Sequence, residues 1–309
     1  MAKSAVWKHS RSPYEIFELV TQNPRITQKE ISRKFNINLK TAFTWWSHAI
    51  ERRIIIPPVF RRKSYSNFRE YFHFLNVDDP HVLYNNLKED KKISYISIES
   101  GFANFFIISQ HPITPEGDVR LKGFRSDYYV SIPPDQSFET AISKIQKKLE
   151  NVDRVEDSPS PLIQRDYPFE PWDEKDEAIF QSICNDVRKP FSHVLRETDT
   201  YSDKVFKWFK RRNEFGQIFS MFFPEGDSSY VLMRYLVETK MDSLLIDIFS
   251  EFPTSTTFCR LSDKLVIALY LPFSVEGRKI VREILSFLKR RELVDGYTNS
   301  FVEYYYRRD

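Results

Sequence analysis

Glycine is scarce in this sequence, at 7 of 309 residues. Phosphate-cradling loops need several glycines close together, so that class of nucleotide site is nearly excluded. Cysteine is scarcer still, and Cys184 and Cys259 cannot build a disulfide framework or a cysteine-rich zinc site. No apolar run approaches the ~20 residues of a membrane span. The opening Met1-Ala2-Lys3-Ser4-Ala5-Val6-Trp7-Lys8 lacks the apolar core of a signal peptide, so a cytoplasmic protein is expected. The histidines (His9, His48, His73, His81, His111, His193) show no metal-ligand spacing. There is no Gly-x-Ser-x-Gly elbow either. No metal, no cofactor and no enzyme activity are expected on these grounds.

Aromatic residues are abundant at 16%, and 41% hydrophobic with 29% charged residues is an ordinary globular composition. The net charge of +3 conceals an asymmetry. Residues 1–66 hold thirteen Lys/Arg against four Asp/Glu, whereas residues 150–177 hold ten acids against three bases. A basic module followed by an acidic linker suggests a polyanion partner or a solvated basic face, and charge alone does not choose between them.

The basic segment reads as three helices. Ser12-Pro13 opens the first, with Ile16, Phe17, Leu19 and Val20 as its apolar face. Thr27-Gln28-Lys29-Glu30 is a capping box for the second. The third has Leu39, Phe43, Trp46 and Ile50 as its expected buried stripe. Ile54–Phe60 and Arg61-Arg62-Lys63 then read as a wing strand and its basic tip, giving a winged helix-turn-helix. Strands at 68–77, 93–99, 102–109 and 128–132 and helices at 79–91 and 137–149 follow, with residues 111–127 unplaced. The acidic stretch with Pro159, Pro161, Pro168 and Pro171 reads as a linker. The plan then restarts: helices at 172–185, 189–197 and 202–212, a wing at 217–224, and a βαββαβ order from Tyr230 to Arg307. A shift of 163 positions places Phe43 on Phe206, Trp45 on Trp208 and Trp46 on Phe209.

The expected fold class is α+β: two tandem copies of a winged helix-turn-helix plus a ferredoxin-like βαββαβ sandwich, forming an intrachain pseudo-dimer. The expected domains are residues 1–66, 67–150, a linker at 151–171, 172–227 and 228–309. Trp172-Asp173-Glu174-Lys175-Asp176-Glu177-Ala178-Ile179 resembles the opening helix of the leucine-responsive (feast/famine, Lrp/AsnC) transcription regulators. Arg188 falls where that family has an Arg before its second helix, and Pro24-Arg25-Ile26-Thr27-Gln28-Lys29-Glu30-Ile31 is similar to the same junction. Ser100-Gly101-Phe102-Ala103-Asn104-Phe105-Phe106-Ile107-Ile108 resembles the turn and strand of the family's effector domain, which usually carries Asp where Asn104 stands. The resemblance implies an archaeal- or bacterial-type regulator binding double-stranded DNA. It further implies a small-molecule effector such as an amino acid, and self-association through the sandwich sheets.

In a helix-turn-helix the third helix meets base edges and flanking cations meet phosphates. The candidates in the first copy are Lys40, Thr41, Thr44, Ser47, His48, Arg52, Arg53, Arg61, Arg62 and Lys63; in the second they are Lys204, Lys207, Lys210, Arg211 and Arg212. Trp45 faces the same way and is expected to pack between domains. Cys184 and Cys259 read as packed thiols, and Asp78-Asp79 as helix-capping acids. Two alternatives remain. Siroheme decarboxylases resemble these regulators in both domains and act on a tetrapyrrole, for which His73 and His111 are the candidate histidines. A two-winged-helix replication initiator is the other.

Overall fold

The computed structural model describes residues 13–152, 159–162 and 167–308; Ser12 and its expected cap lie outside these residues. The first half of the chain runs α1 (Pro13–Gln22), α2 (Gln28–Phe35), α3 (Leu39–Glu51), β1 (Ile55–Arg62), β2 (Tyr71–Asn76), α4 (Pro80–Leu87), β3 (Ile93–Gly101), β4 (Phe105–Ser109), β5 (Asp118–Phe124), β6 (Tyr129–Val130) and α5 (Phe138–Glu150). The second half runs α6 (Glu174–Ile183), α7 (Phe191–Thr198), α8 (Ser202–Phe215), β7 (Gly216–Phe222), β8 (Tyr230–Glu238), α9 (Asp242–Phe249), β9 (Thr257–Leu261), β10 (Lys264–Pro272), α10 (Val275–Arg290) and β11 (Gly296–Arg307). Two compact units result. One comprises the described parts of residues 1–63 with 170–228, the other those of 64–169 with 229–309.

The first unit holds six helices and one two-stranded ribbon. Thr27 and Glu30 close the capping box that starts α2, and Asp173 and Asp176 close another at α6. The buried face of α3 is Ala42, Trp45 and Ala49, not the expected Leu39 and Phe43, which are 53% and 60% exposed. Phe43, Trp45 and Trp46 offer two helical stripes one residue apart. The stripe that places two alanines toward the neighbouring helices lets them approach, with Trp45 filling the remaining volume beside Phe35. Trp45 is thus a core residue of its own module.

The two expected wings pair with each other: β1 and β7 run antiparallel, from Ile55 opposite Phe222 to Arg62 opposite Gly216. Each strand delivers an aromatic side chain to the opposite three-helix module. Phe222 lies 5.2 Å from both Phe17 and Tyr14, and Phe60 lies 5.1 Å from Trp208 and 6.0 Å from Phe180. Gly216 is required here, because a Cβ at this position would enter the Phe60 ring.

The second unit is built on nine strands in the order β5-β2-β4-β3-β11-β8-β10-β9-β6, every neighbouring pair antiparallel. The last four strands of the second half lie in the split βαββαβ order, β11-β8-β10-β9. In the first half β5 follows β4 with no helix between, and α5 joins the helix-face core of the second half through Ala141 and Ile145. The strand β5 occupies the stretch left unplaced by sequence. Its Val119, Leu121 and Gly123 alternate with Asp118, Arg120 and Lys122, but the flanking polar residues mask this short period-2 signal.

After β5 the chain crosses to the far edge strand. Arg125 bridges Leu261, the Ser126 amide donates to the Arg260 carbonyl at 2.8 Å, and the Ser131 amide donates to Thr256 at 2.9 Å. The sheet therefore curls onto itself, and few edge groups are left without partners. Phe72, Phe74, Phe106, Leu236, Leu261 and Val266 fill its inner face. On the outside, α9, α10 and α5 cover β8 and β10, while α4 covers β3 with Leu75, Ile96 and Ile107. No helix among the described residues is long and apolar enough to cross a membrane.

Candidate functional site

The cations expected to meet DNA are largely engaged within the first unit. Arg61 donates to the carbonyls of Phe60 (3.0 Å) and Cys184 (2.9 Å) and to Asn185 Oδ1 (3.1 Å). Arg62 is buried, pairs with Glu177 at 3.2 Å and lies 3.5 Å over the Trp172 ring. Lys63 Nζ donates to the Asn213 carbonyl at 2.6 Å. These three residues are the end of β1, docked on α6 and α8, not a free wing tip. Arg53 pairs with Asp227 at 2.6 Å, Lys204 with Asp176 at 2.6 Å and Asp173 at 2.9 Å, and Arg211 with Glu214 at 2.8 Å. Arg212 donates to the Phe209 carbonyl at 2.6 Å.

Lys40, Thr44, Arg52, Lys207 and Lys210 are exposed, although the Thr44 hydroxyl donates back to the Lys40 carbonyl at 3.0 Å. Thr41, Ser47 and His48 are half-buried. Burial, with help from Arg52, lowers the His48 pKa.

A second pattern in this unit was not anticipated from sequence. Arg25 donates to the carbonyls of Val187 and Lys189 and lies 4.2 Å over Phe191 and 5.3 Å over Phe209. Arg188 donates to the carbonyls of Pro24 (3.1 Å) and Ile26 (2.6 Å) and lies 4.4 Å over Trp46. Each arginine thus caps the junction that the other arginine occupies. Burial lowers the pKa of both guanidiniums, with Asp186 opposing the shift.

In the second unit, ionisable groups concentrate inside the curled sheet. Arg125 is fully buried, donates from Nε to Glu70 at 2.6 Å and from Nη1 to the Ser126 carbonyl at 2.7 Å, and lies 3.9 Å over Tyr128. Burial opposes its charge, but Glu70, with smaller help from Tyr128 and Cys259, raises its pKa overall. Arg234 on β8 pairs with Glu99 on β3 and sits 4.0 Å over Phe106, and Ser97 donates to Glu99 at 2.7 Å. Burial lowers the Arg234 pKa. Cys259 lies in the same core, its thiol pushed up to about 12 by burial against the pull of Arg125 and Arg234. This thiol is therefore protonated and inert, as is usual for a packed cysteine. Each enclosed guanidinium already has its carboxylate, so the cluster joins strands and offers no vacant charge to a ligand. Arg234 is a single charge in the otherwise apolar run at residues 230–237, which is itself the signal of an inward-facing charge that needs a partner, here Glu99.

The imidazoles of this unit are separated. His73 is 4% exposed, flanked by Ile107 and Lys122 across the sheet, with no hydrogen bond to either ring nitrogen. Burial and then Lys122 lower its pKa, so the ring is neutral at pH 7. His111 is exposed. A cleft of about 500 Å³ lies beside α4 and is lined by Asp78, Asp79, Glu116 and Asp118, with Asn86 and Val82. Asp79 also caps α4, accepting from the Val82 amide at 3.0 Å. Among the described residues no group of His, Cys, Asp and Glu is placed to hold a metal ion.

No protein-family model matches this sequence. No curated protein matches it either. Solved structures do match in fold. The crystal structure of the siroheme decarboxylase NirDL aligns with a TM-score of 0.52 at 11% identity, covering 96% of this chain and 93% of that one. The same enzyme in co-complex with an iron-uroporphyrin III analogue aligns at 0.51 and 12% identity with the same coverage.

These matches correct several expectations. The resemblance to leucine-responsive regulators led to a DNA-binding, effector-responsive, non-enzymatic protein. The solved structures that share the fold along nearly their whole length are of an enzyme, and one was crystallised with a tetrapyrrole. The expected double-stranded DNA partner, the amino-acid effector and the absence of enzyme activity are withdrawn. Nothing in the matches assigns an archaeal origin.

Proposed function

We propose that this chain is a tetrapyrrole-handling enzyme of the siroheme decarboxylase type. The observation that carries the reading is the alignment over 96% of the chain, which takes in both the helical unit and the curled sheet. The engagement of Arg61, Arg62 and Lys63 within the protein agrees with it, since the expected wing cations are spent on packing. Siroheme carries several carboxylates, so its site needs accessible cations. The enclosed Arg125 and Arg234 do not meet that need, being paired already, and the cleft beside α4 carries the wrong sign. No step of a reaction is therefore assigned to these groups.

We also propose that the fold arose by tandem duplication, with copies at residues 1–150 and 172–309 paired as a dimer within one chain. The reciprocal contacts of Arg25 and Arg188, 163 positions apart, support this: each donates to the residues flanking the other. Such exchange is characteristic of an isologous interface. On this reading residues 1–66 and 172–227 are equivalent modules, as are 67–150 and 228–309.

The test is a titration with iron-uroporphyrin III, followed by incubation with siroheme. A shifted Soret band on titration and loss of carbon dioxide from siroheme, read by mass spectrometry, are the expected results. An unchanged Soret spectrum at a large excess of protein would overturn the reading.

A further inference from the structure

The helix α10 carries unmatched positive charge along one side. Arg278, Arg282 and Lys289 are four and seven positions apart, which brings them within about 40° of one another around the helix axis. All three are exposed, and none has a hydrogen bond or ion pair to another described residue. Glu283, next to Arg282 in sequence, is paired with Lys279 at 3.6 Å. The three cations span about 17 Å of helix by the rise per residue.

Their placement is unfavourable for the helix alone. Like charges at i and i+4 repel, and a cation in the early turns opposes the helix dipole. The C-terminal Lys289 and Arg290 suit that dipole, but Arg278, near the N-terminal end, does not. The stripe also borders the buried side of α10, formed by Val281, Ile284, Leu285 and Leu288, so the helix is fixed firmly against the sheet. Tyr235 of β8 lies beneath: burial raises its hydroxyl pKa, and Arg282 and Arg278 act on it from above. Next to the stripe, the Ser286 and Tyr297 hydroxyls share a hydrogen bond of 2.9 Å. The result is a preorganised row of cations on a rigid element.

We propose that this face of α10 is a carboxylate-recognition surface for a polycarboxylate macrocycle. The inference rests on the tetrapyrrole reading above and deepens it by naming how the acid side chains are held. Each guanidinium can take one carboxylate in a two-pronged hydrogen-bonded pair, and Lys289 can take a third as a point charge. The length of the row is comparable with the breadth of a porphyrin and its peripheral acid chains, so one ligand can engage all three cations at once. The acid-lined cleft and the already paired interior arginines supply no equivalent.

The experiment uses metal-free uroporphyrin III, whose fluorescence anisotropy reports binding to the full chain in a salt titration. A triple variant, Arg278→Gln with Arg282→Gln and Lys289→Gln, is compared with a control of equal charge change, Lys40→Gln with Arg52→Gln and Lys210→Gln. Circular dichroism confirms that both are folded. The expected result is binding by the wild type that weakens about tenfold in the α10 variant, a few-fold per exposed charge pair, and is unchanged in the control. Wild-type affinity in the α10 variant would overturn this surface while leaving the tetrapyrrole reading intact. An equal loss in the control would mean diffuse charge attraction and would also overturn it. No binding by the wild type at low salt would overturn the surface and the tetrapyrrole reading together.

Discussion

Replacing Glu70 with Gln should be the most revealing single change in the sheet unit. Arg125 is enclosed, its side chain 1% exposed, and Glu70 provides its compensating carboxylate. A guanidinium does not shed its proton to relieve the loss, so the variant must keep an uncompensated cation in the protein interior. Breaking a buried pair from one side costs about 3–5 kcal/mol. With a urea slope of ~2 kcal/mol/M, the midpoint of the sheet unit should fall by about 1.5–2.5 M. All five tryptophans fall in residues 1–63 or 170–228, so tryptophan fluorescence follows the helical unit as an internal reference, and the part of the far-ultraviolet circular dichroism transition that does not coincide with it reports the sheet unit. The double variant Glu70→Leu with Arg125→Leu should recover most of the loss, because hydrophobic replacement of both partners is often neutral. A cost below ~1 kcal/mol for Glu70→Gln would refute the reasoning, since it would mean that Arg125 is hydrated and not enclosed.

Other outcomes follow from the same geometry. Trp45→Ala should cost about 3–5 kcal/mol in the helical unit and Phe43→Ala less than ~0.5 kcal/mol, measured by thermal unfolding, because only the first empties a core. Stability should fall as pH drops below about 6.5, because the unfolded chain binds a proton that His73, with its lowered pKa, refuses; His73→Leu should flatten that part of the urea-midpoint profile. Arg25→Ala and Arg188→Ala should each destabilise the helical unit by ~1–3 kcal/mol, leaving two carbonyls without their charged donor, and unequal losses would argue against equivalent roles.

Much of the element order was legible because local signals carry it. The capping box at Thr27, the Asp79 cap and the alternating strands of the second half all depend on neighbours in sequence. What was not legible depends on which distant surface an element meets. The stripe chosen on α3 is set by the neighbouring helices, so three aromatics in four positions left it ambiguous. The strand β5 is short and partly exposed, and its pairing with β2 is decided by a partner more than 40 residues earlier. The curl of the sheet is closed by Arg125 and Ser126 against β9, contacts that no local pattern announces. The candidate site was less legible than the fold. The sequence singled out exposed-looking cations, whereas the charged residues most enclosed by the structure, Glu70, Glu99, Arg125 and Arg234, meet partners far away in sequence that no local pattern marks.

The basic excess of residues 1–66 shows why charge counting misled. Net charge describes attraction at a distance, but it does not say whether a cation is free. Arg25, Arg61, Arg62 and Lys63 each find carbonyl, amide or carboxylate oxygens on the second three-helix module. Carbonyl acceptors carry no formal charge, so such engagement leaves no trace in a tally of acids and bases. A guanidinium serves this purpose well, because its planar fork can satisfy two carbonyls while its face stacks on an aromatic ring. Arg25 over Phe191 and Arg188 over Trp46 do both. Four of the thirteen cations of the first segment therefore serve as the adhesive of an interface between modules. The cations that remain exposed and unmatched are better guides to a ligand, and Arg278, Arg282 and Lys289 are such cations on one side of α10.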